Sequence, residues 1–207
     1  MGEVKKLTTL EHEGSAVFTE KKSNFIGYAK PARDENEAIE YIKLIRKKHS
    51  DARHNVYAYV IGNTTRYSDD GEPQGTAGMP VLEVIRKSGF TDAVIVVTRY
   101  FGGILLGAGG LVRAYTAAAK AAAEAAHIVT YEKFTELRLE LSYPDYTRVE
   151  RILAAFGVIV DNTDFAETVM LHIACHYERT ESLIRRITEE TSGRCLPEIT
   201  GDRLDKR

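Results

Sequence analysis

Apolar and polar positions alternate along Ser23 to Pro31, where Phe25, Ile26 and Tyr28 precede a proline, and this predicts a strand. A helix follows. Asp34 stands as its N-cap with Glu37 three places on, and Ile39, Ile42, Leu44 and Ile45 form the apolar stripe. His54 to Ile61 alternates Val56, Ala58 and Val60 against Tyr57 and Tyr59, again a strand, and Ser68 to Pro73 reads as a turn. Gly75 to Ser88 carries Val81, Leu82 and Ile85 at helical spacing, with Thr76 as the expected cap and Gly89 as the terminator. Ala93 to Thr98, a continuous β-branched run, predicts a strand buried on both faces at the centre of a sheet. The glycine-dense stretch Gly102 to Gly110 then leads into an alanine-rich helix, Leu111 to Ala126.

From Phe134 the pattern restarts. Leu137, Leu139 and Leu141 alternate as a strand, Pro144 opens a helix carrying Val149, Ile152, Leu153 and Phe156, and Gly157 ends it. Val158 to Val160 and Thr168 to Ala174 read as strands around a polar turn, Asp161 to Glu167; a helix over Glu178 to Glu190 and a strand over Arg194 to Ile199 complete the set. Strand, helix, strand, strand, helix, strand is the split βαβ, ferredoxin-like plan. The expected class is therefore α+β in two domains, 1–132 and 133–207.

Composition narrows the function classes. With 43% hydrophobic and 28% charged residues over 207 positions, the chain is an ordinary globular one. No apolar run reaches the roughly 18 residues of a bilayer span, and the N-terminus has no secretory h-region, so a cytoplasmic protein is expected. Cys175 and Cys195 match no metal spacing and read as reduced thiols. The formal net charge of -2 argues against a broad nucleic-acid face, yet residues 1–133 hold 18 basic against 16 acidic side chains and the remainder 10 against 14. A local anion site in a slightly basic first domain is compatible with that split; sequence-specific DNA binding is not expected.

Three constellations carry chemistry. Arg99, Tyr100, Gly102, Gly103, Gly107, Gly109, Gly110 and Arg113 run from a buried strand through glycines into a helix N-terminus, where free N–H groups, the helix dipole and two guanidinium groups favour a phosphate. The spacing is neither a P-loop nor a dinucleotide fingerprint, and tight turning under the alanine helix is the structural alternative. Lys43 to Asn55 gathers basic residues including Arg53 and His54, either a solvated helix end or an edge for RNA, with Tyr57, Tyr59, Tyr67 and Tyr100 as stacking candidates. Asp69, Asp70 and Glu72 place three carboxylates in one turn, which reads as a plain turn or helix cap, or as a Mg²⁺ or acid/base site. No cofactor is otherwise implied, and no local Ser-His-Asp, HExxH or CxxC arrangement exists.

Taken together, KKSNFIGYA, KKHSDARHNVYAY, SDDGEPQGTAGMPVL and VVTRYFGGILLGAGGLVRAYTAA resemble the IMPACT family, the group that includes bacterial YigZ-type proteins. That resemblance implies a first domain like the second domain of a small-subunit ribosomal protein and domain IV of elongation factor G. The second domain would be ferredoxin-like, as in domain V of that factor. It also implies a part in regulation of translation: eukaryotic members compete for a co-activator of a stress-response kinase through an additional N-terminal domain, for which the residues before Lys21 are too few. The leading expectation is a non-enzymatic protein binding RNA, the ribosome or a translation factor through the glycine-rich loop. Small-molecule kinases of the same superfold keep a second expectation open, a phosphate- or nucleotide-handling enzyme using that loop with the SDDGEP carboxylates. A protein–protein interaction module is the third.

Overall fold

The computed structural model describes residues 6–206, which form two sheets and five α-helices, a mixed α+β architecture. The chain divides into two compact units, one of Leu7–Thr130 and one holding Tyr131 onward together with Lys6.

The first unit contains β1 (Lys6–Leu10), β2 (Gly14–Glu20), β3 (Ser23–Pro31), α1 (Glu35–Lys48), β4 (His54–Ile61), β5 (Thr64–Ser68), α2 (Gly78–Ser88), β6 (Ala93–Tyr100) and α3 (Gly107–Ala125). Its main sheet is antiparallel, in the order β2-β3-β6-β4-β5. The apolar run in β6 is central because both its faces are covered. Ile95 and Val97 join the core under α2 and α3, while Val94 and Val96 join Tyr41, Ile42 and Ile45 of α1 on the other face. The alanines of α3 allow unusually close packing: a Cβ on Gly27 would sit 2.4 Å from the carbonyl oxygen of Ala118.

Asp34 caps α1 by accepting the Glu37 N–H at 2.9 Å, and Glu37 in return accepts the Arg33 N–H at 2.9 Å. Gly89 ends α2 in the left-handed region. Other boundaries differ from the pattern. Helix α2 starts at Gly78, not Gly75, and Thr76 does not cap it: its hydroxyl bonds the Pro73 carbonyl at 2.6 Å. Helix α3 begins inside the glycine stretch, at Gly107. The strands β1, β2 and β5 are not marked by the apolar pattern of the sequence. Strands β2 and β5 lie at sheet edges and stay largely half-exposed or exposed, so they lack an apolar signature.

The second unit is built on β7 (Ile128–Leu141), α4 (Tyr143–Phe156), β8 (Ile159–Phe165), β9 (Val169–His176), a 3₁₀ turn (Tyr177–Arg179), α5 (Thr180–Glu190) and β10 (Glu198–Lys206). The first residues of β7, which belong to the first unit, are where Thr8 and Thr130 share a hydroxyl contact of 3.0 Å. In its five-stranded sheet β7 pairs with β1, β9 and β10, and β8 lies beyond β9; the β10–β7, β7–β9 and β9–β8 pairs are antiparallel, and the order β10-β7-β9-β8 interleaves two strand–helix–strand crossings. Strand β7 starts at Ile128 rather than Phe134, and the polar stretch read as a turn from Asp161 continues β8 through Phe165. The last strand is Glu198–Lys206, not Arg194 to Ile199. Both misread strands are edges, where polar side chains face water on either side. Cys175 and Cys195 are free and buried, and burial pushes the Cys195 thiol up to about 11.

Candidate functional site

The antiparallel register brings one end of the first sheet together. Phe25 pairs with Arg99 and Arg99 with His54, so the β2–β3 turn, the exit of β6 and the entry of β4 share that end.

The SDDGEP turn folds against it with every carboxylate engaged. Asp69 accepts the N–H groups of Ala77 (3.1 Å), Gly78 (2.8 Å) and Gly75 (2.9 Å), and so does the capping that the sequence assigned to Thr76. Asp70 pairs with Arg46 at 2.7 Å and accepts the Asn55 N–H at 2.7 Å. Glu72 is buried, and its Oε1 accepts from Arg99 Nη1 (2.7 Å) and from the Tyr115 hydroxyl (2.8 Å). Burial, followed by the charge of Glu72, drives the Tyr115 phenol upward. His54 bonds the Asp70 carbonyl through Nδ1 at 2.8 Å, with Nε2 4.0 Å from Glu72. Among the described residues no three His, Cys, Asp or Glu side chains stand together as metal ligands.

A second polar chain lies beside it. Tyr28 O–H meets His49 Nε2 at 2.8 Å, His49 Nδ1 meets the Tyr100 hydroxyl at 2.9 Å, and Tyr100 donates to Asp51 at 2.8 Å. Because Tyr100 spends its proton on Asp51, its oxygen accepts from His49 Nδ1–H, and Nε2 accepts from Tyr28. A neutral imidazole satisfies this chain, and burial lowers the His49 pKa, with Lys48 adding to the effect.

The glycine loop leaves β6 at this same end. The Gly102 N–H donates to Ser23 Oγ at 3.0 Å, and a Cβ at Gly102 would lie 2.0 Å from the Lys22 carbonyl carbon, so only glycine fits. Gly103 and Gly107 turn through positive φ, and Gly110 is buried. Among the described residues no side chain caps α3, whose first turn contains Gly107, Gly109 and Gly110. Arg113 folds back toward that turn: its Nη1 would stand 3.6 Å from a Cβ on Gly109. Lys21, Lys22, Arg53 and Arg113 are exposed and form no ion pair among the described residues.

The structure thus gathers Arg53, His54, Arg99, Tyr100, Gly102, Asp70 and Glu72 at one sheet end, and Tyr115 of α3 joins them through Glu72. Arg99 is buried and committed to Glu72, whereas Arg113 is open to solvent. Tyr59 is buried with its hydroxyl on Glu35, pushed up to about 12 by burial and that contact; Tyr67 is exposed. Sequence reasoning missed Tyr115, hidden in an alanine helix, and Phe101. The signal for Phe101 was present: apolar residues inside a glycine loop.

Comparison with known proteins agrees with the motifs. Residues 21–123 match the Impact N-terminal domain and residues 139–194 match a domain of unknown function (DUF1949). The chain is 36% identical over 192 residues to the IMPACT family member YvyE of Bacillus subtilis, covering 90% of this chain and 87% of that one. It is 33% identical to the IMPACT family member YigZ of Escherichia coli, covering 84% and 87%. A crystal structure of a hypothetical protein superposes with a TM-score of 0.60 at 30% identity, covering 95% of this chain and 98% of that one. The chain belongs to the IMPACT family.

Proposed function

We propose that this protein acts in the regulation of translation by binding RNA of the translation apparatus through the glycine-loop end of its first unit, without catalysis, in the cytoplasm. The observation that carries this reading is the division of charge there. The SDDGEP carboxylates are consumed by internal donors, while Lys21, Lys22 and Arg53, at the sheet end from which the glycine loop leaves, and Arg113, in the first turns of α3, form no ion pair among the described residues. A nearly neutral chain thereby presents a small cationic patch, suited to a few phosphates rather than a long duplex. Arg99 enters as an internal counter-charge to Glu72, not as a phosphate ligand. The likeness to elongation-factor domains implied by the family belongs to this same reading.

Co-sedimentation with ribosomal subunits and with purified ribosomal RNA, over a salt titration, tests it. The wild-type protein should bind at low salt and release at high salt. Replacing Lys21, Lys22 and Arg113 together by alanine should lower the slope of log affinity against log salt by about 2 to 3, near one per phosphate lost. No binding at low salt, or a slope unchanged by the triple substitution, overturns the reading.

A further inference from the structure

Loops that cross solvent are normally polar, yet this one carries Phe101, Ile104 and Leu105, exposed by 51%, 42% and 82%. Phe101 is supported from below. The Arg99 guanidinium lies 5.4 Å from its ring centroid and 5.5 Å from that of Phe25, which is fully buried and edge-on to Tyr115 at 5.1 Å. Glu72 holds Arg99 Nη1, and Arg99 Nε is buried without a hydrogen-bond partner among the described residues, so ring contacts and one carboxylate hold the guanidinium. The Gly102 clamp against Ser23 and Lys22 secures the backbone immediately after the ring. An aromatic side chain is therefore pre-positioned, half in solvent, beside two unpaired lysines.

Such a platform has little use on a fully paired helix, whose base faces are hidden in the stack. Unpaired bases, in contrast, stack on exposed aromatic rings while nearby cations hold the phosphates. We infer that the RNA bound by this protein presents unpaired bases, with Phe101 as the stacking platform and Leu105 as an adjoining apolar contact. The charge around the loop favours this occupant over an apolar pocket of another protein, since Lys21, Lys22 and Arg113, exposed and without an ion pair among the described residues, complement a polyanion. The inference rests on the RNA reading proposed above and narrows its substrate class.

The test uses the full chain and a fluorescently labelled RNA oligonucleotide, single-stranded or annealed to its complement, with fluorescence anisotropy at low salt. A 2-aminopurine in the strand reports stacking by its quenching. The wild-type protein should favour the single strand by on the order of tenfold or more and quench the probe. Phe101→Ala should abolish the preference and the quenching while leaving the salt slope intact; Phe101→Trp should retain both. Equal affinity for strand and duplex, or an F101A protein that still discriminates and quenches, overturns this inference alone. Failure to bind either RNA at low salt overturns it together with the RNA reading, and points to a protein partner for the apolar loop.

Discussion

Replacing Glu72 by glutamine keeps the shape of the side chain but removes the one carboxylate that neutralises Arg99. The two side chains are 4% and 8% exposed, and the pair is 2.7 Å apart, so water cannot take over the role of the lost charge. Arg99 already has a buried Nε without a partner, and Tyr115 O–H would be left donating to a neutral amide. Breaking a buried pair by neutralising one member costs about 3–5 kcal/mol, a large part of the 5–15 kcal/mol that holds a typical domain together. In urea that corresponds to a midpoint lowered by roughly 2 M for the first unit. Far-UV circular dichroism can follow it, the chain having no tryptophan. Removing the whole polar group at once, with Glu72→Leu, Arg99→Met and Tyr115→Phe, should recover most of the loss because no charge is then stranded. A Glu72→Gln protein destabilised by less than about 1 kcal/mol would refute the reasoning, showing that the pair is solvated or that Arg99 finds another acceptor.

Two pH responses follow from the same bookkeeping of buried polar groups. Burial depresses the folded-state pKa of His49, so its contribution is present above the unfolded value of about 6.5 and is lost as pH falls through the lower folded value; urea midpoints should drop on acidification, and His49→Gln should remove that component, whereas an unaltered pH slope would contradict the burial of a neutral His49 between Tyr28 and Tyr100. In the second unit Arg194 holds the Asp145 carboxyl down to about 2, through contacts of 2.7 and 3.0 Å, with Ser142 assisting. Stability from that pair should persist above pH 4 and fall only between about 4 and 2, and Arg194→Met should move acid unfolding of this unit to higher pH; an identical acid transition in the variant would contradict the assignment.

Legibility along the chain follows solvent exposure. Strand β6 and the helices could be read because burial leaves a compositional mark: five consecutive β-branched residues, a stripe at helical spacing, a cap, a terminating glycine. The strands β2 and β5 could not, and β8 and β10 only at one end, since an edge strand satisfies half its hydrogen bonds in the sheet and leaves its side chains in water. At the site, the glycine loop and the SDDGEP turn were both visible as motifs. Their assignments were not, because Asp69, Asp70 and Glu72 differ only in which donor each meets. Arg99 lies 27 residues from Glu72 and Tyr115 lies 43 away, separations at which no local spacing rule operates.

The amino-acid sequence by itself determined the two-part α+β plan, the central buried strand, the alanine helix and the family to which the motifs belong, all properties carried by neighbours a few residues apart. Tertiary structure decided which charges face inward and which remain free. Arg99 and Arg113 have the same chemistry and flank the same loop, yet one is sealed between Phe25, Phe101 and Glu72 while the other stands in solvent. The physical reason is that a buried charge must be paired where it lies, and the strand register, set by the packing of the whole sheet, chooses the partner.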